Sequence, residues 1–161
     1  MLSDMLLGNN MNSLINDVSF PLLLVPPKAD FKPVKKLLFA SDLDFAGSDT
    51  AALAQLIKLV EPMGTEIVLT HVCSKDGDND EKIRNILRAM ADKITYKRVN
   101  YNFICETDTE KGLHNLCEKE NADMLVMIHH NHSLLERIFT TSHSQKMAKQ
   151  TDIPLLVMPS N

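Results

Sequence analysis

The sequence predicts an α/β domain on an open parallel sheet of five strands, with helices on both faces and a short helix–strand remnant in front. Three observations carry this. Apolar runs of strand length recur at Leu37–Ser41, Glu66–Val72, Met124–Ile128 and Ile153–Met158 without the strict alternation of a half-wet sheet, as in strands buried on both faces. The segments between them carry apolar residues at helical spacing. Strand and helix alternate along the chain, which calls for βαβ units with right-handed crossovers. At 161 residues the chain suffices for one domain and its core, not for two complete ones.

In order, residues 1–33 read as the tail of something else: Met11–Val18 at roughly helical spacing, the buried-strand run Leu22–Val25, then a linker punctuated by Pro26, Pro27 and Pro33. The regular domain spans 34–161. Its first strand closes at Asp42-Leu-Asp44, and a helix follows from about Ser48 or Asp49, either of which can cap it, with Leu53, Leu56, Ile57 and Val60 on one face. Pro62 and Gly64 stop that helix. Glu66–Val72 is the second strand, Asp76-Gly-Asp-Asn-Asp80 a turn and cap, and Ile83, Ile86, Leu87, Met90 and Ile94 line the second helix. Val99–Cys105 alternates, which suggests one wetter face or a place near the sheet edge. A third helix from Thr109 to Asn121, capped by Asp108, is buried through Leu113, Leu116 and Cys117. After strand Met124–Ile128 comes a long polar loop to Ser142, then a helix around Ser144–Lys149 and the final strand.

Composition excludes several classes. A net charge of -4 with scattered basic residues gives no electrostatic case for nucleic acid. No apolar run approaches the roughly 20 residues that span a bilayer, and the early Asp4 interrupts any signal-type stretch, so a cytoplasmic protein is expected. Cys73, Cys105 and Cys117 contain no CxxC pair and are read as reduced, packed thiols.

One internal repeat stands out. Phe20-Pro-Leu-Leu-Leu-Val-Pro26 matches Ile153-Pro-Leu-Leu-Val-Met-Pro159 in register, which places Gly8-Asn9 opposite Thr141-Ser142. Phe-Ala-Ser-Asp42, Thr-His-Val72, Asn-Ala-Asp-Met-Leu-Val-Met127 and Ile-Pro-Leu-Leu-Val157, in this order and spacing, resemble the universal stress protein family over residues 34–161. The leading segment resembles the end of a preceding repeat in tandem members. The resemblance implies a sheet of order 3-2-1-4-5, a homodimer or tandem pair with last strands side by side, and a role in stress survival.

Family members that bind ATP carry G-x2-G-x9-G-[S/T] after strand four. On this chain the glycine positions fall on Ile128, Asn131 and Thr141, and Ser142 alone keeps its type. Glycine lets backbone N–H groups approach phosphate closely, and β-branched Ile128 and Thr141 oppose that. The resemblance therefore implies a degenerate site whose ATP-contacting candidates are Asp42, Val72, Asn131, Thr141 and Ser142. A second reading groups His71, His129 and His130 as zinc ligands at the same sheet edge as Asp42, with Cys73, His132 and His143 near in sequence. Ser142 and Ser144 flank His143, but with no strained Gly-x-Ser-x-Gly turn no catalytic residues are assigned. Leu134, Leu135, Ile138 and Phe139 form an apolar ridge that folds the loop down or meets a partner. The final strand has no lysine to protect its edge, so Leu22–Val25 or a second chain is expected to cover it. Two functions remain open: a non-enzymatic module acting through dimerisation and an unidentified protein partner, or a small-ligand sensor binding ATP or a metal ion.

Overall fold

The computed structural model describes residues 19–74, 79–130 and 152–160. In chain order these form β1 (Leu22–Leu24), β2 (Lys36–Ala40), α1 (Ala46–Val60), a 3-10 turn (Glu61–Met63), β3 (Glu66–Cys73), α2 (Asp80–Asp92), β4 (Val99–Cys105), α3 (Thr109–Glu120), β5 (Met124–His129) and β6 (Leu155–Pro159). The helices expected at Met11–Val18 and Ser144–Lys149, the Gly8-Asn9 pair, residues 76–78 of the expected turn and most of the His129–Ser142 loop lie outside the described residues.

The sheet runs β1-β6-β5-β2-β3-β4. It has six strands rather than the five expected: β4-β3-β2-β5-β6 keeps the expected order 3-2-1-4-5, and β1 adds a sixth, antiparallel to β6 with Leu23 opposite Leu156. The physical reason is the bare apolar edge of β6, whose unpaired backbone groups β1 satisfies. All other neighbours are parallel. β4 closes the far edge, in keeping with its alternating sequence.

Two apolar layers sandwich the sheet. On one face Leu38, Ala40, Val68, Leu125, Met127 and Val157 pack with Leu113, Leu116 and Cys117 of α3. On the other, Leu37, Phe39, Ile67, Leu69, Val126 and Ile128 pack against α1 through Leu53, Leu56 and Ile57 and against α2 through Ile83, Leu87 and Met90. Burial pushes the Cys117 thiol up to about 12, so it packs as a neutral small hydrophobe. α3 approaches β3 so closely that a Cβ at Gly112 would meet Val72 Cγ1 at 2.5 Å, which is why glycine stands there.

Local chemistry sets the helix ends. Asn79 caps α2 and Asp108 caps α3, each side chain accepting from the N–H groups two and three residues on. Gly64 (φ 65°) and Asn121 (φ 52°) terminate their helices in the left-handed region. The start of α1 differs from expectation. It begins at Ala46 with Phe45 in the cap position and no side-chain cap, and Ser48 and Asp49 lie inside its first turn. Asp49 is drawn into the interior by other partners, described below.

Asp123, just ahead of β5, ties the linker to the sheet. Its Oδ2 accepts from the Lys35 and Lys36 backbone N–H groups at 3.0 Å each, and its Oδ1 lies 2.8 Å from Lys32 Nζ. Burial alone would raise its pKa. The Lys32 hydrogen bond, the two backbone donors and the Lys32 charge together outweigh burial and hold the carboxyl below its ordinary value. A depressed native pKa means stability present above the unfolded value of about 3.9 and lost as pH falls through the native one. Asp123→Asn is therefore expected to cost about 1–3 kcal/mol near neutrality. In urea titrations the gap to wild type should close as pH drops below about 4; a gap that persists there would refute the assignment.

Candidate functional site

β2 lies between β3 and β5, and the crossovers leaving it and arriving beside it cover opposite faces, α1 and α2 on one and α3 on the other. The carboxyl ends of β2 and β5 thus flank the switch point of the sheet, the place where an open α/β fold leaves a crevice. Two segments meet there: Ser41–Phe45 leaving β2, and His129-His130 ending β5.

The turn after β2 is held by short polar contacts. The Ser41 N–H donates to the Thr70 carbonyl at 2.9 Å, continuing the ladder one residue past the strand. His71 Nδ1 lies 2.8 Å from the Ser41 carbonyl, which can only accept, so that nitrogen carries the proton. The Leu43 N–H donates to Ser41 Oγ at 3.1 Å, and Leu43 itself has φ 70°. A non-glycine residue in the left-handed region is uncommon and costs about 1–3 kcal/mol, so the turn is held by its surroundings rather than by preference.

Asp49 is the buried centre of the α1 side. Only 1% exposed, it accepts from Ser41 Oγ at 2.5 Å through Oδ2, and its Oδ1 shares a 2.6 Å hydrogen bond with His130 Nε2. The Phe45 ring stacks on the His130 imidazole, centroids 4.3 Å apart and planes within 16°. Burial pushes the Asp49 carboxyl above its ordinary value; the Ser41 and His130 hydrogen bonds and the His130 charge pull it back in part, and the Asp42 charge adds to the rise. The chemistry of this trio is positional. Ser41 donates to one oxygen of the carboxylate and the imidazole bonds the other, so Asp49 holds the hydroxyl and the imidazole apart.

The other side holds unmet demand. Asp42 Oδ1, Thr70 Oγ1 and His129 Nε2 are buried and, among the described residues, have no hydrogen-bond partner. Asp42 lies just past the carboxyl end of β2 and His129 at that of β5, while Thr70 lies inside β3, level with the last residue of β2. In register, Thr70 lies beside Ala40 and Ala40 beside Met127, so His129 follows one pleat further along β5 on the face of Thr70, and Asp42 lies two residues past the end of β2. Thr70 is fully buried and His129 is 9% exposed. Each such group forfeits about 1–3 kcal/mol until something bonds it.

The structure sorts the sequence candidates. Asp42 and Val72 lie at the ends of β2 and β3, while Asn131, Thr141 and Ser142 lie outside the described residues. Of the three histidines, His71 is bonded to the Ser41 carbonyl and His130 to Asp49, and none belongs to a group of three possible metal donors within 4.8 Å of one another among the described residues. Among the described residues, the donor atoms that gather within 4.8 Å of one another belong to Cys73, Asp80 and Cys105. The expectation of reduced thiols is also corrected, since Cys73 and Cys105 form a disulfide. They are opposite each other in the β3–β4 register, a neighbourhood that strand pairing creates and spacing does not announce. Sequence reasoning missed Asp49, taken for a helix cap, and Thr70. A signal for the cysteines existed: each is the last residue of its strand, in two strands consecutive in sequence.

A family model described as the universal stress protein family matches residues 33–159. The chain belongs to the universal stress protein family. Among solved structures, it is similar to a universal stress protein from Archaeoglobus fulgidus, with a TM-score of 0.68 and 20% identity over 99% of this chain and 57% of that one. This chain therefore spans little more than half of that relative's length. A universal stress protein in complex with cAMP has a TM-score of 0.60 at 13% identity, over 81% of this chain and 100% of that one. One from Lactobacillus plantarum has 0.53 at 9% identity, over 80% and 99%. At these identities the likeness shows the fold. No curated protein matches the sequence. Among the described residues, no helix of this stress-protein domain is long and apolar enough to cross a membrane.

Proposed function

We propose that this chain is a non-enzymatic stress-response module that takes up a small polar ligand of nucleoside type in the crevice between β2 and β5. The observation that carries this is the set of three buried polar atoms on Asp42, Thr70 and His129, near the switch point, that have no partner among the described residues. A carboxylate, a hydroxyl and an imidazole suit the hydroxyl and amino groups of a nucleoside. Asp42 is also the position that the family resemblance assigns to the nucleotide site. The absence of glycine at positions 128, 131 and 141 argues that a triphosphate is held weakly, so ligands with less phosphate are favoured over ATP. That a structural relative is a complex with cAMP supports the class of ligand.

A second reading, a pure interaction module working as a homodimer, is favoured by a different observation. Phe20, Leu23, Val25 and Phe31, on and around β1, are exposed apolar side chains on one short segment. The tandem reading of residues 1–33 belongs with it: the Archaeoglobus relative aligns with 99% of this chain using 57% of its own, whereas relatives matched over their full length cover about four fifths.

Calorimetric titration of the purified full chain with adenosine, cAMP and magnesium-ATP tests the proposal. Saturable heat with adenosine or cAMP, lost in Asp42→Ala, is the expected result. Silence toward all three ligands would overturn it, and a dimer in sedimentation equilibrium under the same conditions would then establish the interaction module.

A further inference from the structure

We propose that Cys73, Cys105 and Asp80 form a thiolate–carboxylate site for a soft divalent cation of zinc type, open when the cysteines are reduced and closed when they are joined. The site lies at the carboxyl ends of β3 and β4, to the β4 side of the switch point. Cys73 and Cys105 are the last of seven consecutive register pairs between these strands, so neither backbone has freedom to drift. The Glu106 N–H donates to the Cys73 carbonyl at 2.9 Å and extends the ladder past the pair. Asp80 is the first residue of α2, and the Asn79 cap immobilises that turn through the Glu81 and Lys82 N–H groups. All three donors thus stand on rigid elements, which is what a preorganised metal site needs.

The donor atoms lie within 4.8 Å of one another, with Cys105 Sγ 3.9 Å from Asp80 Oδ1. A tetrahedral zinc with sulfur and oxygen ligands holds them roughly 3.4–3.8 Å apart, so small side-chain rotations suffice. The electrostatics select the occupant. Two thiolates beside a carboxylate repel one another, and a cation among them converts that repulsion into attraction. Sulfur ligands choose zinc or a softer ion over magnesium or calcium. Cys73 is buried, while Cys105 is half-buried and Asp80 exposed, so the ion is reached from the Asp80 side and a fourth position stays open to solvent. Cys117 is not a competitor, since it packs in the apolar layer on the opposite face of the sheet.

The structure holds the joined form. Passage between the two follows thiol–disulfide exchange with a small-molecule disulfide as oxidant. One cysteine thiolate attacks that disulfide and expels one thiolate, and the second cysteine attacks the mixed disulfide and expels the other. Two electrons pass from the cysteines to the oxidant, the two expelled thiolates take protons from water, and the cation leaves because its sulfur ligands are gone.

The test uses the full chain, reduced with a phosphine, freed of metal, and titrated anaerobically with cobalt(II) as a spectroscopic stand-in for zinc. A thiolate-to-cobalt charge-transfer band saturating at one equivalent and bleached by zinc is expected. The band should vanish in Cys73→Ser and Cys105→Ser, and Asp80→Asn should weaken binding by about tenfold or more. Treatment with a small-molecule disulfide beforehand should abolish it. Should Cys73→Ser fail to fold, Cys105→Ser at the more exposed position decides the matter. Absence of the band in reduced wild type, or its survival in Cys105→Ser, overturns the proposal.

Discussion

Asp49→Ala is expected to cost roughly 2–5 kcal/mol, because Ser41 Oγ and His130 Nε2 both lose their partner in the interior and each orphaned group forfeits about 1–3 kcal/mol. An opposing effect exists, since removing a buried carboxyl also removes its desolvation cost. Asp49→Asn separates the two. The amide keeps an acceptor for Ser41 and loses the charge, so it should stay within about 1.5 kcal/mol of wild type. The pH dependence has a definite sign. Burial holds the native pKa of Asp49 above its ordinary value, so its favourable contribution is full below the unfolded value and is lost as pH rises through the native one. Wild type should therefore lose stability relative to Asp49→Asn as pH climbs from about 4. Denaturant titrations across that range read both effects, and an alanine variant as stable as wild type would show that the trio contributes nothing.

Phe39→Ala should have the largest effect on the fold itself, about 3–5 kcal/mol. The ring is fully buried in β2, a strand with parallel neighbours on both sides, and it packs in the layer shared with α1 and α2. A cavity there cannot be filled by collapse, because the strands on either side are fixed in register. A domain of this size has about 5–15 kcal/mol in total, so the variant stands close to unfolding at physiological temperature. Phe39 also lies two residues ahead of Ser41 and three ahead of Asp42, so ligand heat should fall along with the melting temperature. Phe39→Leu fills most of the space and should recover most of both. A melting temperature for Phe39→Ala unchanged from wild type would mean that β2 is not the centre of the core.

The sequence by itself determined the α/β class, the alternation of strand and helix from β2 to β5, the final strand and the apolar layers, because each rests on local periodicity that burial on both faces imposes. It also determined the family, through the order and spacing of short segments around Asp42, Val72 and Met127. Where a residue had one obvious local use, that reading prevailed, and for Asp108 as a helix cap, and for a cap within Asp76–Asp80, it held. For Asp49 it failed, since a carboxylate in a first helical turn looks like a cap whether or not a histidine 81 residues away waits for it. Only the tertiary structure decided which partners Asp49 takes, that β1 folds back antiparallel onto β6, and that Cys73 meets Cys105. Each is a contact across strands or crossovers, set by which edges pair and in what register, and no periodicity of one segment encodes the register of another.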